Sequence, residues 1–273
     1  MSGRVRVTIL GCGSSGGVPR VGNEWGACDP DDPRNRRTRC SLLVERYEST
    51  YSHETSTVVL IDTSPDLREQ LLAARVSHID GLLYTHDHAD QSHGIDDLRA
   101  LVYNQRKRIP TWMDEATANS LLVRFGYIFK TPEGSNYPAL LDYKPMPMPG
   151  KTVTIEGKGG VLDFKILQQN HGDIDSLGFR FGPVAYCNDC KILPISSLDA
   201  CRGADLFIVD ALRDTLHPSH ANVAQALDWI DVVKPTAAIL TNMHIDLDYT
   251  ELSARLPTGI VPAVDGLVWD GEI

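Results

Sequence analysis

The segment Tyr84-Thr85-His86-Asp87-His88-Ala89-Asp90 follows directly on a short apolar run, residues 81–84, and it limits what the chain can be more than any other feature. An apolar run that turns abruptly polar reads as a buried strand ending in a loop. Alternate positions of an extended segment point the same way, so His86, His88 and Asp90 are expected to face one point. Imidazole and carboxylate together suit zinc, manganese or iron. The other reading, a polar loop with chance histidines, has to explain three ligand-type residues at i, i+2 and i+4.

Three more segments have the same grammar. Residues 164–167 lead to Asn170-His171-Gly172-Asp173, residues 206–209 end at Asp210, and residues 237–240 lead to Thr241-Asn242-Met243-His244. Taken singly, each has an ordinary account: a strand-end His is often a capped loop residue and a strand-end Asp a helix cap. Their shared placement, together with the first cluster, favours one common metal site.

The rest of the chain supports a layered protein. Residues 5–10 alternate and end at Gly11, which opens the glycine-rich loop GCGSSGG. That loop is not a dinucleotide fingerprint, because the spacing fails and no helix follows before Pro19. Further strands are expected at 42–45, 58–61, 152–155, 161–167, 178–181, 184–186, 206–209 and 237–240. Helices are expected at 64–74, opened by Ser-Pro-Asp, and at 95–105, 221–232 and 249–256. Residues 131–150, rich in Pro and Gly, read as an irregular loop. Early strands followed by alternating strands and helices imply an α/β domain with helices outside two packed sheets, and 1–273 reads as a single domain.

A net charge of −10 argues against a general nucleic-acid binder. The exception is Arg34, Arg36, Arg37 and Arg39: either a solvated loop balanced by Asp29, Asp31 and Asp32, or a loop that faces an anion. No window has the roughly 20 apolar residues of a membrane span, and the N-terminal apolar run is too short for a signal peptide. Six cysteines in 273 residues do not suggest a disulfide framework, so a cytoplasmic protein is expected.

Taken in order along nearly the whole chain, these motifs resemble the metallo-β-lactamase superfamily. Ile61-Asp62-Thr63 matches its strand-end Asp that buttresses the site, and His86, His88 and Asp90 match its HxHxDH run. His171 matches the third histidine of the first metal site, Asp210 the carboxylate that bridges both metals, and His244 the last ligand. The resemblance implies a four-layer αββα sandwich with two divalent metal ions, zinc or manganese. One position departs: the histidine that should follow Asp90 is Gln91. An amide is a weak neutral donor beside imidazole, so the second ion is expected to be the weaker, unless His93 reaches in.

LGCGSSGGVPR, CSLLVE, THDHADQSHGIDDLR and the His217-Pro218-Ser219-His220 stretch resemble the phosphoribosyl cyclic phosphodiesterase branch. The resemblance implies that His220 donates a proton to the leaving oxygen, while Asp90 and Asp210 hold charge around the metals. Arg99 either binds a terminal phosphate or pairs with Asp96 on a helix surface. The branch's cysteine-held structural zinc is not expected, because only Cys28 and Cys40 stand in the early loop. Cys187-Asn188-Asp189-Cys190 matches a superfamily strand ending in an Asp, here Asp189, and its thiols read as incidental.

The expected activity is hydrolysis of a small cyclic phosphate or nucleotide-like phosphodiester. A small phosphorylated molecule is the expected partner, with no membrane and no stable nucleic-acid partner; a homodimer is compatible with the sequence. The alternatives are a thioester, lactone or tRNA-processing hydrolase of the same superfamily, or a metal-binding protein without turnover.

Overall fold

A computed structural model describes residues 3–273. One sheet contains β1 (Arg4–Gly11), β2 (Ser41–Tyr47), β3 (Thr57–Ile61), β4 (Gly81–Leu83), β5 (Ile109–Met113), β6 (Leu141–Pro145) and β14 (Val268–Glu272), in the order β14-β1-β2-β3-β4-β5-β6. The second contains β7 (Thr152–Gly157), β8 (Gly160–His171), β9 (Ile174–Phe181), β10 (Val184–Cys187), β11 (Leu206–Asp210), β12 (Ala237–Thr241) and β13 (Ile260–Pro262), in the order β13-β12-β11-β10-β9-β8-β7. Each sheet is mixed: its early strands pair antiparallel, and its later ones, β3 to β6 and β10 to β13, pair parallel.

Side-chain alternation assigns the layers. In β2, Leu42 and Val44 join Val7, Ile9, Val59 and Ile61 in the space between the sheets, where they meet Phe164, Ile166, Phe179 and Phe181. The intervening Leu43 faces the other way, with Leu60 and Leu82, against helices α1 (Leu67–Ala73), α3 (Arg99–Gln105) and α4 (Glu115–Arg124). On the second sheet's outer face lies α7 (Val223–Val233), which packs through Ala226, Trp229, Ile230 and Val233. Each fully buried large apolar side chain contributes about 1.5–3 kcal/mol. Two sheets face to face with helices outside make the four-layer αββα sandwich.

Several elements differ from the sequence reading. Helix α1 begins at Leu67; before it, the Ser64 hydroxyl donates to Gln70 Oε1 at 2.9 Å and accepts from the Asp66 N–H at 3.2 Å. Residues 95–105 split into a 3-10 turn, Ile95–Leu98, and α3. β5 and β6 were not anticipated. Pro110 argues against a central strand, and Leu141–Pro145 is mostly polar; each becomes a strand through parallel pairing with its neighbour. The parallel strands end at one rim, and every residue of the candidate site lies there or in the loops just beyond, as α/β proteins generally place ligands.

Candidate metal centre

β4 delivers His86 and His88 to the rim, and β8 ends on His171. Their ligand atoms lie within 4.8 Å of one another. Ring centroids are 4.5 Å apart for His86 and His88, and 5.1 Å from each of these to His171.

Hydrogen bonds set the tautomers. Thr85 donates both its N–H and its hydroxyl to Asp62, each at 2.8 Å. Its hydroxyl proton thus committed, Thr85 Oγ1 accepts from His86 Nδ1 at 2.9 Å. His86 Nε2 is then the lone-pair nitrogen, buried and without a hydrogen-bond partner. His171 Nδ1 donates to the Ser219 carbonyl at 2.7 Å, which turns its Nε2 toward His88. Burial, with the neighbouring imidazoles, pushes His86 well below the usual histidine range. Burial and His220 lower His171 to about 4. Neutral imidazoles with lone pairs aimed at one point are what a metal needs, and buried polar atoms rarely go unpaired. The residues therefore fit a divalent ion here.

Asp189, just beyond β10, supplies a carboxylate: His171, Asp189 and His220 form a second group with ligand atoms within 4.8 Å. Its oxygens accept from Asn188 Nδ2 at 2.6 Å, Gln91 Nε2 at 2.9 Å and Asn242 Nδ2 at 3.1 Å. Burial still pushes Asp189 well above the usual carboxylate range, against the pull of His220. A bound cation would relieve that cost. Asp62, Asp189 and Asn242 all turn off their strands in the left-handed region, with φ of 62°, 49° and 63°. Such conformations cost about 1–3 kcal/mol and gather at functional sites.

The other expected residues are placed differently. Asp90 lies in α2 (Ala89–Ser92), one helical turn that starts after His88. The extended alternation therefore stops at His88, and Asp90 accepts from Gln91 Nε2 at 3.3 Å. Asp210 sits behind His220: its Oδ2 accepts from the Cys190 N–H and from His220 Nδ1, both at 2.9 Å. His244 engages Arg20 through Nε2 and lies 2.9 Å from Asp246 through Nδ1. The structure thus gathers His86, His88 and His171; Asp90 is joined to Asp189 through Gln91, Asp210 through Asn242 and His220, and His244 is turned to Arg20. The sequence reading gives Asp189 only as a strand-end Asp, although residues 184–187 are an apolar strand leading to it, the same signal used for Asp210.

His220 is set by Asp210; Asp214 pairs instead with Arg255, and Asn222 caps α7 by accepting from Gln225 N. Burial opposes its charge, but Asp210, with Asp189 and Asp90, outweighs burial and pushes His220 up to about 9. Its ring lies 4.6 Å from that of His171. His93 is exposed, 3.3 Å from Arg124 and edge-on to Phe125. Arg99 makes the helix-surface pair with Asp96 at 2.6 Å, and it lines a cavity of about 470 Å³ with Tyr103, Tyr127 and Tyr137.

Of the early arginines, Arg34 pairs with Asp32 and Arg39 with Asp66. Arg37 is buried, and it donates to the carbonyls of His244 and Leu247 and to Asn35 Oδ1. These three arginines serve structure. All six cysteines are free and buried, and among the described residues no helix is long and apolar enough to cross a membrane.

Asp62 carries a testable consequence. Asp62→Ala leaves the Thr85 N–H buried without an acceptor, which should destabilise the metal-free protein by about 1–3 kcal/mol. Asp62→Asn keeps an acceptor and should lose less. Urea denaturation of both variants measures the difference.

The family model of the beta-lactamase superfamily domain matches residues 57–245. A crystal structure of a diphosphatase from the PhnP family superposes with a TM-score of 0.85 at 33% identity, covering 99% of this chain and 98% of that one. Zinc-bound PqqB from Methylobacterium extorquens shares the fold, with a TM-score of 0.71 at 17% identity over 97% of this chain and 99% of that one. Among curated proteins, an octanoyltransferase of Porphyromonas gingivalis is 31% identical over 269 residues, 96% of this chain and 51% of the relative, so the chain spans about half of that protein's length. The matched model runs from β3 to just past His244, across the three-histidine centre and all the strand ends that surround it, and the chain belongs to the metallo-β-lactamase superfamily.

Proposed function

We propose that this chain is a metal-dependent phosphodiesterase acting on a small cyclic or nucleotide-like phosphate ester, with zinc or manganese at His86, His88 and His171 and with Asp189 as a further ligand. The observation that carries this reading is His220: a histidine held protonated at neutral pH by Asp210, its ring 4.6 Å from a ligand of the metal centre. A divalent ion held there would supply Lewis acidity and lower the pKa of a water toward neutral. His220 protonates the departing oxygen, which an alkyl phosphodiester needs and an activated ester does not. Asp210 occupies Nδ1 and leaves Nε2 to meet the substrate. Arg99, which lines a 470 Å³ cavity with three tyrosines, is the candidate to hold a terminal phosphate of the substrate. Likeness to a PhnP-family diphosphatase supports phosphoester chemistry.

Likeness to an octanoyltransferase supports a second reading, acyl chemistry. A screen of metal-defined protein separates them. Cyclic ribose phosphates, dinucleotide diphosphates and nitrophenyl phosphodiesters form one arm, and an octanoyl thioester the other. Turnover in the phosphoester arm is the expected result; turnover confined to the thioester would overturn it.

A further inference from the structure

The paired-ion arrangement of the superfamily asks for a second set of ligands beside the triad, and this chain spends those residues on one another. Gln91, where the resemblance expects a histidine, is fully buried. Its amide nitrogen lies between the two carboxylates, 2.9 Å from Asp189 Oδ2 and 3.3 Å from Asp90 Oδ2. An NH₂ group has no lone pair to give a metal. Turning the amide over would set Oε1 against two carboxylates, so these fix its direction even though Oε1 itself is buried without a hydrogen-bond partner. The position between Asp90 and Asp189 is therefore bridged by a neutral donor.

His244 is equally committed. Its Nδ1 stands 2.9 Å from an Asp246 oxygen, and its Nε2 accepts from the Arg20 guanidinium. Its main chain is tied down as well: the N–H donates to Leu212 at 2.9 Å, and the carbonyl accepts from buried Arg37. Arg20 arrives from the glycine-rich loop, which docks on the end of β12 through Met243 N to Cys12 O at 2.9 Å and Ser14 N to Met243 O at 3.2 Å. Gly16 gives the arginine its path, since a Cβ there would stand 3.1 Å from both Cγ and Nε of Arg20. Two residues before His244, the amide of Asn242 holds Asp189. The guanidinium is thus anchored at the superfamily's last metal ligand, and its side chain remains 37% exposed.

We propose that this chain holds one metal ion, at His86, His88 and His171 with Asp189 beside it on the His171 side, and that the second ion's place is closed, its positive charge supplied by Arg20. A guanidinium is permanently charged and presents a fork of donors that matches phosphate oxygens. It can bind the substrate's phosphate on the side away from the triad and offset charge as attack proceeds. The single-ion claim stands apart from the proposed phosphodiesterase activity; the claim for Arg20 rests on it.

Elemental analysis and calorimetric titration with Mn²⁺ and with Zn²⁺, metal alone, test the first claim. Wild-type protein should show a single transition near about one ion per chain, and the double variant Arg20→Met, Gln91→His should approach about two. Two ions of comparable affinity in the wild type would overturn the closed second site. For the second claim, Arg20→Met should keep its single ion and lose about 10²–10³-fold in kcat/KM on a phosphodiester. Arg20→Lys, which retains the charge, should lose less. Wild-type kcat/KM in Arg20→Met would remove Arg20 from the site. Absence of phosphodiester turnover in the wild type, with one ion bound, would sink the functional reading and leave the stoichiometry standing.

Discussion

Asp189→Ala is expected to lose metal and turnover together, with activity down roughly a thousandfold, the equivalent of the several kcal/mol that metal-borne charge stabilisation contributes. Asp189 is the carboxylate whose oxygen lies within 4.8 Å of a His171 ring nitrogen, and burial disfavours its charge even with His220 Nδ1 3.7 Å away. Asp210→Ala should behave differently. Asp210 accepts from the Cys190 N–H and from His220, so its loss should leave the ion in place and injure only the acid. Metal content by elemental analysis, measured beside kcat/KM, separates the two. If Asp210→Ala sheds the metal while Asp189→Ala keeps it, the bridging role expected for Asp210 from the sequence is restored and the present assignment fails.

His220→Ala should lose about 10²–10⁴-fold on an alkyl or cyclic ribose phosphodiester, the usual cost of removing a general acid. On a nitrophenyl phosphodiester the loss should be much smaller, because phenolate departs without a proton. The ratio of the two losses, at matched metal loading, is the measurement; equal losses would reduce His220 to a structural residue. The pH profile gives an independent reading. The pKa is raised to about 9, so the proton is present at neutral pH and is lost as pH rises through that value. An alkaline limb near pH 9 is therefore expected for the alkyl ester. Asp210→Asn should move the limb downward, since it removes the largest of the influences that hold the proton on.

Much of this protein was legible in the chain itself. Strand-end placement of His86, His88 and His171 follows from period-two alternation, which the sheets impose whatever surrounds them. The helix over α7 and the strands from β7 to β12 follow from apolar periodicity in the same way. The four-layer sandwich was implied by the order of the motifs. β5 and β6 could not be read so, because Pro110 and a polar edge become strand only through a neighbour's ladder. The carboxylates show the same limit at the site. Asp189 and Asp210 both follow apolar strands, and nothing local tells them apart; three-dimensional proximity sets Asp189 beside both His171 and His220, and Asp210 in a hydrogen bond to His220. Asp90 kept the i+4 spacing but not the direction, since the chain turns helical after His88. Arg20 meets His244 across more than two hundred residues, through the docking of a loop onto a strand end. Local backbone periodicity fixes which residues reach the rim, and only long-range packing decides which of them face one another.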